Sequence, residues 1–186
     1  MAKALRQPAT YEDLLKVPEH LVAELIDGEL FTNPRPTYHH ASAGGRLYRR
    51  LGNTYEDGDG GPGGWWILPE VELHLGGDAL VPDIAGWRRE RMPELPSAHY
   101  STVVPDWVCE VISPSTGRLD RIRKMPVYAS HGVPHAWLID PMQKTLEVFR
   151  LSDGHWLLIA AHEGEDVVRA EPFDAIELNL GYLWVD

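Results

Sequence analysis

A single cysteine, Cys109, stands in 186 residues. It excludes an internal disulfide and a cysteine-rich zinc site. The histidines fall in no HExxH or His-x-His spacing, so a histidine-built zinc centre is not expected either. No apolar run approaches the roughly 18 residues that a bilayer span needs. The opening MAKALRQPATYEDLL carries no apolar signal segment, which leads us to expect a cytoplasmic protein. Positive charge is scarce: 17 Lys and Arg face 28 Asp and Glu, a net of −11. Such a chain is no indiscriminate nucleic-acid binder, because phosphate contacts need Lys and Arg.

The deficit is uneven. Residues 145–186 hold nine acids against Arg150 and Arg169, a net of −7, which leaves −4 for residues 1–144. Within that first part the basic residues gather in three places: Arg46, Arg49 and Arg50; Arg88, Arg89 and Arg91; Arg118, Arg121, Arg123 and Lys124. Solvated surface is the plain reading of each cluster. They gain meaning only if they flank a site.

The length suits one domain with a sizeable core. No repeat or linker divides it, so one domain over 1–186 is expected. Thr10 before YEDLL, with Asp13 in the acidic position, reads as a capped helix start. LVAELIDGEL reads as a hairpin around Asp27-Gly28, ended by Pro34 and Pro36. A helix is expected from Thr37 to about Leu51, with Gly44-Gly45 marking close packing, then a flexible loop from Gly52 to Gly64. WWILPEVELHL and DALVPDIAGW read as two strands, with Pro69 at a bulge or edge. A polar, proline-broken connection fills 88–103. A strand follows at about Trp107 to Ile112, and then a helix from roughly Gly117 to His131 that Pro126 bends or restarts. HAWLID is a short strand, and TLEVFR with WLLIAA forms a hairpin. The sum is an α/β fold: a mixed β-sheet flanked by helices, with a C-terminal β-hairpin.

Within VPDWVCEVISPS, Glu110 sits among Val108, Cys109, Val111 and Ile112, in a strand that reads as buried on both faces. Alternation places Asp106, Val108, Glu110 and Ile112 on one face. Asp106 lies about 13 Å along the strand, at ~3.3 Å per residue, too far to share an ion with Glu110. Asp83, in LVPDIAGW, is the better companion: on a neighbouring strand the two carboxylates stand ~5 Å apart. Such a pair demands a proton or a cation between them, and Mg²⁺ suits a site of one or two carboxylates with waters. The alternative for each residue alone is a buried carboxylate that only accepts backbone hydrogen bonds.

Pro82-Asp83, Glu110 in EVI, and a lysine on the next helix together resemble the PD-(D/E)XK nuclease core. More closely, the chain resembles the Uma-type restriction endonucleases, a bacterial family. AELIDGEL (23–30), PTYHHASAGGRL (36–47), VPDIAGW, PDWVCEVISPST and DRIRKMPVYASHGVPHAWLIDP (120–141) match its blocks in order. The broader nuclease motif places lysine two residues after the glutamate, where this chain has Ile112. The Uma-type pattern moves it to the following helix, which points to Lys124; the plain alternative is an exposed lysine in RIRK. The resemblance also implies Glu24 in the metal or water-binding set. It implies a site role for His40 too, for which capping or packing is the alternative. Strand parity puts Glu24 with Val22 and Ile26 on an apolar face, where an unpaired glutamate does not belong.

What the resemblance implies is Mg²⁺-dependent hydrolysis of DNA phosphodiesters, with Mn²⁺ able to substitute. Asp83, Glu110 and the Val111 carbonyl would hold the metal, Lys124 would orient the attacking water, and Glu24 would hold a second ion or a metal water. Arg88, Arg89, Arg121 and Arg123 are the candidate phosphate contacts, and palindromic cutting would imply a homodimer. One rival is a nuclease-like scaffold that binds nucleic acid or protein without cutting. Another is a sugar-binding module, suggested by seven Trp and seven Tyr; it requires an exposed aromatic platform.

Overall fold

The computed structural model describes residues 7–185. Thr10 begins helix α1 (Tyr11–Leu14) through a reciprocal capping box with Asp13. Strands β1 (Leu21–Ile26) and β2 (Glu29–Pro34) pair antiparallel. Asp27 and Gly28 turn between them at φ 52° and 72°, the left-handed pair of a tight type I′ hairpin. Gly28 is required twice over, because a Cβ there would stand 2.9 Å from that of Pro8. Thr37 then caps helix α2 (Tyr38–Leu51) by accepting from the His40 N–H. Ala43, Leu47 and Leu51, four residues apart, form its buried face.

The expected Gly52–Gly64 loop begins instead as a π-turn over Gly52–Glu56, which continues α2 and buries Thr54 and Tyr55. The next two expected strands are four. β3 (Trp65–Pro69) and β6 (Ile84–Arg88) pair in one sheet, while β4 (Glu72–Leu75) and β5 (Asp78–Leu80) pair in another. The chain changes sheets at Pro69-Glu70, where Glu70 has φ 48°, and changes back at 81–83. Proline cannot donate to a ladder, so Pro69 ends β3 at the sheet's edge and Pro82 separates β5 from β6.

Short β7 (Tyr100–Ser101) joins β4, and central β8 (Trp107–Val111) follows. The expected single helix after β8 is α3 (Gly117–Leu119), a π-turn over Asp120–Lys124, and α4 (Met125–Ser130), with Pro126 in the first turn of α4. The π-turn ends at Lys124, so Pro126 enters in a first α-turn, where proline is favoured. β9 (His135–Asp140) runs parallel to β8. β10 (Thr145–Ser152) and β11 (His155–Glu163) form the expected hairpin. β12 (Val167–Val168) and β13 (Leu178–Asn179) close the chain as a small ribbon.

The expected mixed sheet is thus two mixed sheets, ordered β2-β1-β5-β4-β7 and β11-β10-β9-β8-β6-β3. α2 and residues 168–184 cover one face of the larger sheet, and α4 with the smaller sheet covers the other. β8 therefore lies inside both cores. Phe173 gathers Tyr55, Trp65, Trp107 and Trp137 with ring centroids 4.7–5.6 Å away. All seven tryptophans are buried or half-buried, which leaves no tryptophan platform for a sugar. Among the described residues, no helix is long and apolar enough to cross a membrane.

Candidate active site

Strand parity holds across β8: Trp107 and Cys109 face one core, Val108 and Ile112 the other. Glu110 lies on the second face, 2% exposed. Lys124 Nζ stands 2.9 Å from its carboxylate, and the Tyr128 hydroxyl donates to it at 2.6 Å. Asp120, Lys124 and Tyr128 recur every fourth residue from the π-turn into α4, so the segment presents all three to the sheet. The group that keeps Glu110 from being an unpaired buried charge is therefore Lys124, 14 positions on.

Glu24 enters from β1 in the other sheet and is 3% exposed. Its Oε1 accepts from Lys124 at 2.9 Å and from the Val81 N–H at 2.9 Å. Lys124 completes its set on the Val81 carbonyl at 3.0 Å. An ammonium has three donors, and here Glu110, Glu24 and Val81 take them. Asp120 adds a carboxylate 3.9 Å from the same Nζ.

Asp83 immediately precedes β6, one step beyond the Ile84–Cys109 pair, which sets it across from Glu110. Its Oδ2 accepts the Val111 N–H at 2.7 Å, and its Oδ1 lies 3.3 Å from His40 Nε2. The two carboxylates anticipated around a shared cation thus each have a partner of their own: Lys124 for Glu110, His40 for Asp83. The Asp83 side chain is 23% exposed and is the carboxylate that opens to solvent.

The charges sort by burial. Desolvation pushes the Glu110 carboxyl well above its usual range, against the pull of Lys124. Burial also opposes the charge on Lys124, but Glu110 and Glu24 outweigh it and hold the ammonium protonated well above its ordinary value. Burial raises Asp120 to about 6, with Lys124 and the Thr116 hydroxyl pulling back. For His40, burial lowers the pKa, yet the bond to Asp83, the charges of Asp83 and Asp120 and the Val111 carbonyl together raise it.

Glu24, His40, Asp83, Glu110, Asp120 and Lys124 all line one cleft of about 420 Å³. Among the described residues, no lining residue comes from the acidic segment after 144. Asp120, Tyr128 and Val81 were not among the sequence candidates, although the spacing of Asp120 and Tyr128 four residues either side of Lys124 was a readable signal. Arg35 was also passed over; it lines the cleft and donates to the Glu19 carbonyl at 2.9 Å.

The four candidate arginines stand elsewhere. Arg88 ends β6 and Arg89 follows it, at the far end of the strand from Asp83, stacked 4.6 Å over Trp65 and 4.0 Å over Trp66. Arg89 also donates to the carbonyls of Trp65 and Glu56. Arg121 pairs with Glu147 at 2.6 Å, and Arg123 pairs with Glu29 at 3.3 Å. The reason is local: strand tryptophans and hairpin acids offer these guanidiniums partners before the cleft does.

A family model described as "Putative restriction endonuclease", Uma2, matches residues 8–181. Among solved structures, the chain is similar to a protein from Anabaena variabilis described as a "putative nuclease belonging to DUF820". The TM-score is 0.76 at 22% identity, covering 95% of this chain and 97% of that one. At that identity the likeness speaks for the fold. No curated protein matches.

Proposed function

Because this chain belongs to the Uma2 restriction endonuclease family, we propose that it is a metal-dependent endonuclease that hydrolyses DNA phosphodiester bonds. The observation that carries this reading is the meeting of Glu24, Asp83, Glu110 and Lys124, from four separate elements, in one cleft.

The donor chemistry fits Mg²⁺ or Mn²⁺. Asp83 and Glu110 offer carboxylate oxygens and Val111 a carbonyl oxygen, the hard set such ions take. The main-chain oxygen is needed, because among the described residues no three His, Cys, Asp or Glu side chains gather closely enough to hold an ion alone. When bound, the ion supplies Lewis-acid polarisation of the scissile phosphate and a more acidic water. Glu24 would hold a second ion or a metal water.

The chain's own residues do the rest. Val111 N–H fixes the Asp83 carboxylate at the cleft floor. Tyr128 and Lys124 fix Glu110 from the opposite side. Lys124 orients the attacking water and stabilises charge developing on the phosphate by exchanging its weakest partner, the neutral Val81 carbonyl, for that water. His40, already donating toward Asp83, would pass a proton to or from the reacting phosphate.

One observation favours a second reading, a nuclease-like scaffold that binds without cutting: Glu110 is fully engaged by Lys124 and Tyr128. The two readings separate in a plasmid-nicking assay with Mg²⁺ or Mn²⁺, comparing wild type with Asp83→Asn. Nicking by wild type alone supports the enzyme. Equal nicking by both identifies a contaminant, and none by either, with no metal bound in calorimetry, supports the scaffold.

A further inference from the structure

We propose that the cleft accepts an unpaired stretch of DNA rather than the side of an intact duplex, an inference that rests on the nuclease reading above. Three of the groups placed in the reaction lie at the bottom: Glu110 is 2% exposed, and Lys124 and Glu24 are 3%. A phosphodiester must descend to them. The space available, about 420 Å³, matches a cleft for one small molecule. A duplex is a stiff rod with a persistence length of about 50 nm, and the sharp local kink needed to enter a concavity of that size carries a large deformation cost. A single strand has no such stiffness.

The lining is of two chemical kinds. Part of it is the carboxylates and Lys124. Another part is apolar: Leu15, Val17 and Pro18 from the segment after α1, with Val22, Pro34 and Pro36 from the hairpin and its exit. Leu15 is 65% exposed, an uncovered apolar side chain at the mouth. Tyr38 stands 94% exposed one residue beyond the lining residue Thr37. A duplex turns its phosphates and sugars outward, so it has little with which to cover such apolar lining. An unpaired nucleotide brings both parts, a phosphate for the charged residues and a base face for the apolar ones.

Charge points the same way. Duplex binding runs on many Lys and Arg contacts to phosphate. The cleft offers Arg35 and Lys124, and its lining also includes Glu19, Glu70 and Glu72. Recognition here engages one or two phosphates and a base, not a track of phosphates.

The test compares one labelled sequence as a single strand, as a blunt duplex, and as a single-stranded flap on a duplex, each with Mn²⁺. Cleavage and fluorescence anisotropy are both read. The single strand and the flap should be cut at least tenfold faster than the duplex, and the single strand should bind at least tenfold more tightly. Leu15→Asp, at an exposed position, should weaken single-strand binding at least fivefold and leave Mn²⁺ affinity in calorimetry unchanged. Equal or better cutting of the duplex overturns the inference and leaves the nuclease reading standing. If nothing is cut, the cutting reading fails, and anisotropy still decides: equal binding of both forms overturns the inference, and preference for the single strand upholds it.

Discussion

Lys124 and Glu110 meet at 2.9 Å with 3% and 2% of their side chains exposed, joining the π-turn before α4 to the central strand β8. The pair is not symmetric. Lys124 also serves Glu24 and the Val81 carbonyl, whereas the partners of Glu110 are Lys124 and Tyr128.

That asymmetry predicts unequal costs. Lys124→Met strands two buried carboxylates and should cost about 3–5 kcal/mol, the range for breaking a buried pair from one side. Glu110→Gln leaves Lys124 with Glu24 and Val81 and should cost about half as much or less. Urea unfolding at pH 7 reads both. Similar losses would show that Lys124 is not the hub of the cluster.

Much of this was legible in the sequence, and what was hidden was non-local. The Thr10 capping box, the Asp27-Gly28 hairpin and the parity that buries Glu24 and Glu110 depend on neighbours within a few residues, and each appears in the structure. The division into two sheets does not. It needs to be known that Leu25 pairs with Ala79 while Ile67 pairs with Gly86, and neither pairing leaves a mark on local spacing. Lys124 could be named from the family pattern, but not its bond to Glu24, which spans 100 positions. Arg88 and Arg89 misled for the same reason: a cluster near Asp83 in sequence lies at the other end of the strand in space.

Asp120 should make stability fall as pH rises. Its carboxyl titrates near 3.8 in an unfolded chain and at about 6 in the fold. Between those values the folded state holds a proton that the unfolded state has lost. The contribution is therefore complete below 3.8 and is lost as pH climbs through about 6. Asp120→Asn mimics the protonated form and should remove this dependence. The stability of wild type relative to Asp120→Asn should drop by about 2 kcal/mol from pH 4.5 to pH 7, in paired urea titrations. A difference that stays flat would mean Asp120 ionises in the fold as it does in water.

Tyr128→Phe deletes the hydroxyl that donates to Glu110 at 2.6 Å and leaves the ring in the core. A hydrogen bond to a charged group contributes about 1.5–3 kcal/mol, so a loss in that range is expected. Activity should fall by less than tenfold, because Lys124 still holds the carboxylate. A hundredfold loss of turnover at unchanged stability would give Tyr128 a direct part in the chemistry.

Asp83→Asn should separate function from folding. Asn keeps an oxygen to accept the Val111 N–H, now at 2.7 Å from Asp83 Oδ2, and Asp83 is the most exposed of the acids paired at the site. Stability should therefore change by about 1 kcal/mol or less. The lost charge is one of two side-chain ligands proposed for the metal, so Mn²⁺ affinity in calorimetry should fall at least tenfold and cleavage at least a hundredfold. Chelation of the wild type should give the same cleavage loss and should be reversed by added Mg²⁺ or Mn²⁺. If Asp83→Asn binds Mn²⁺ as wild type does, the ion sits elsewhere, and the Oδ1 beside His40 belongs to a hydrogen-bond pair alone.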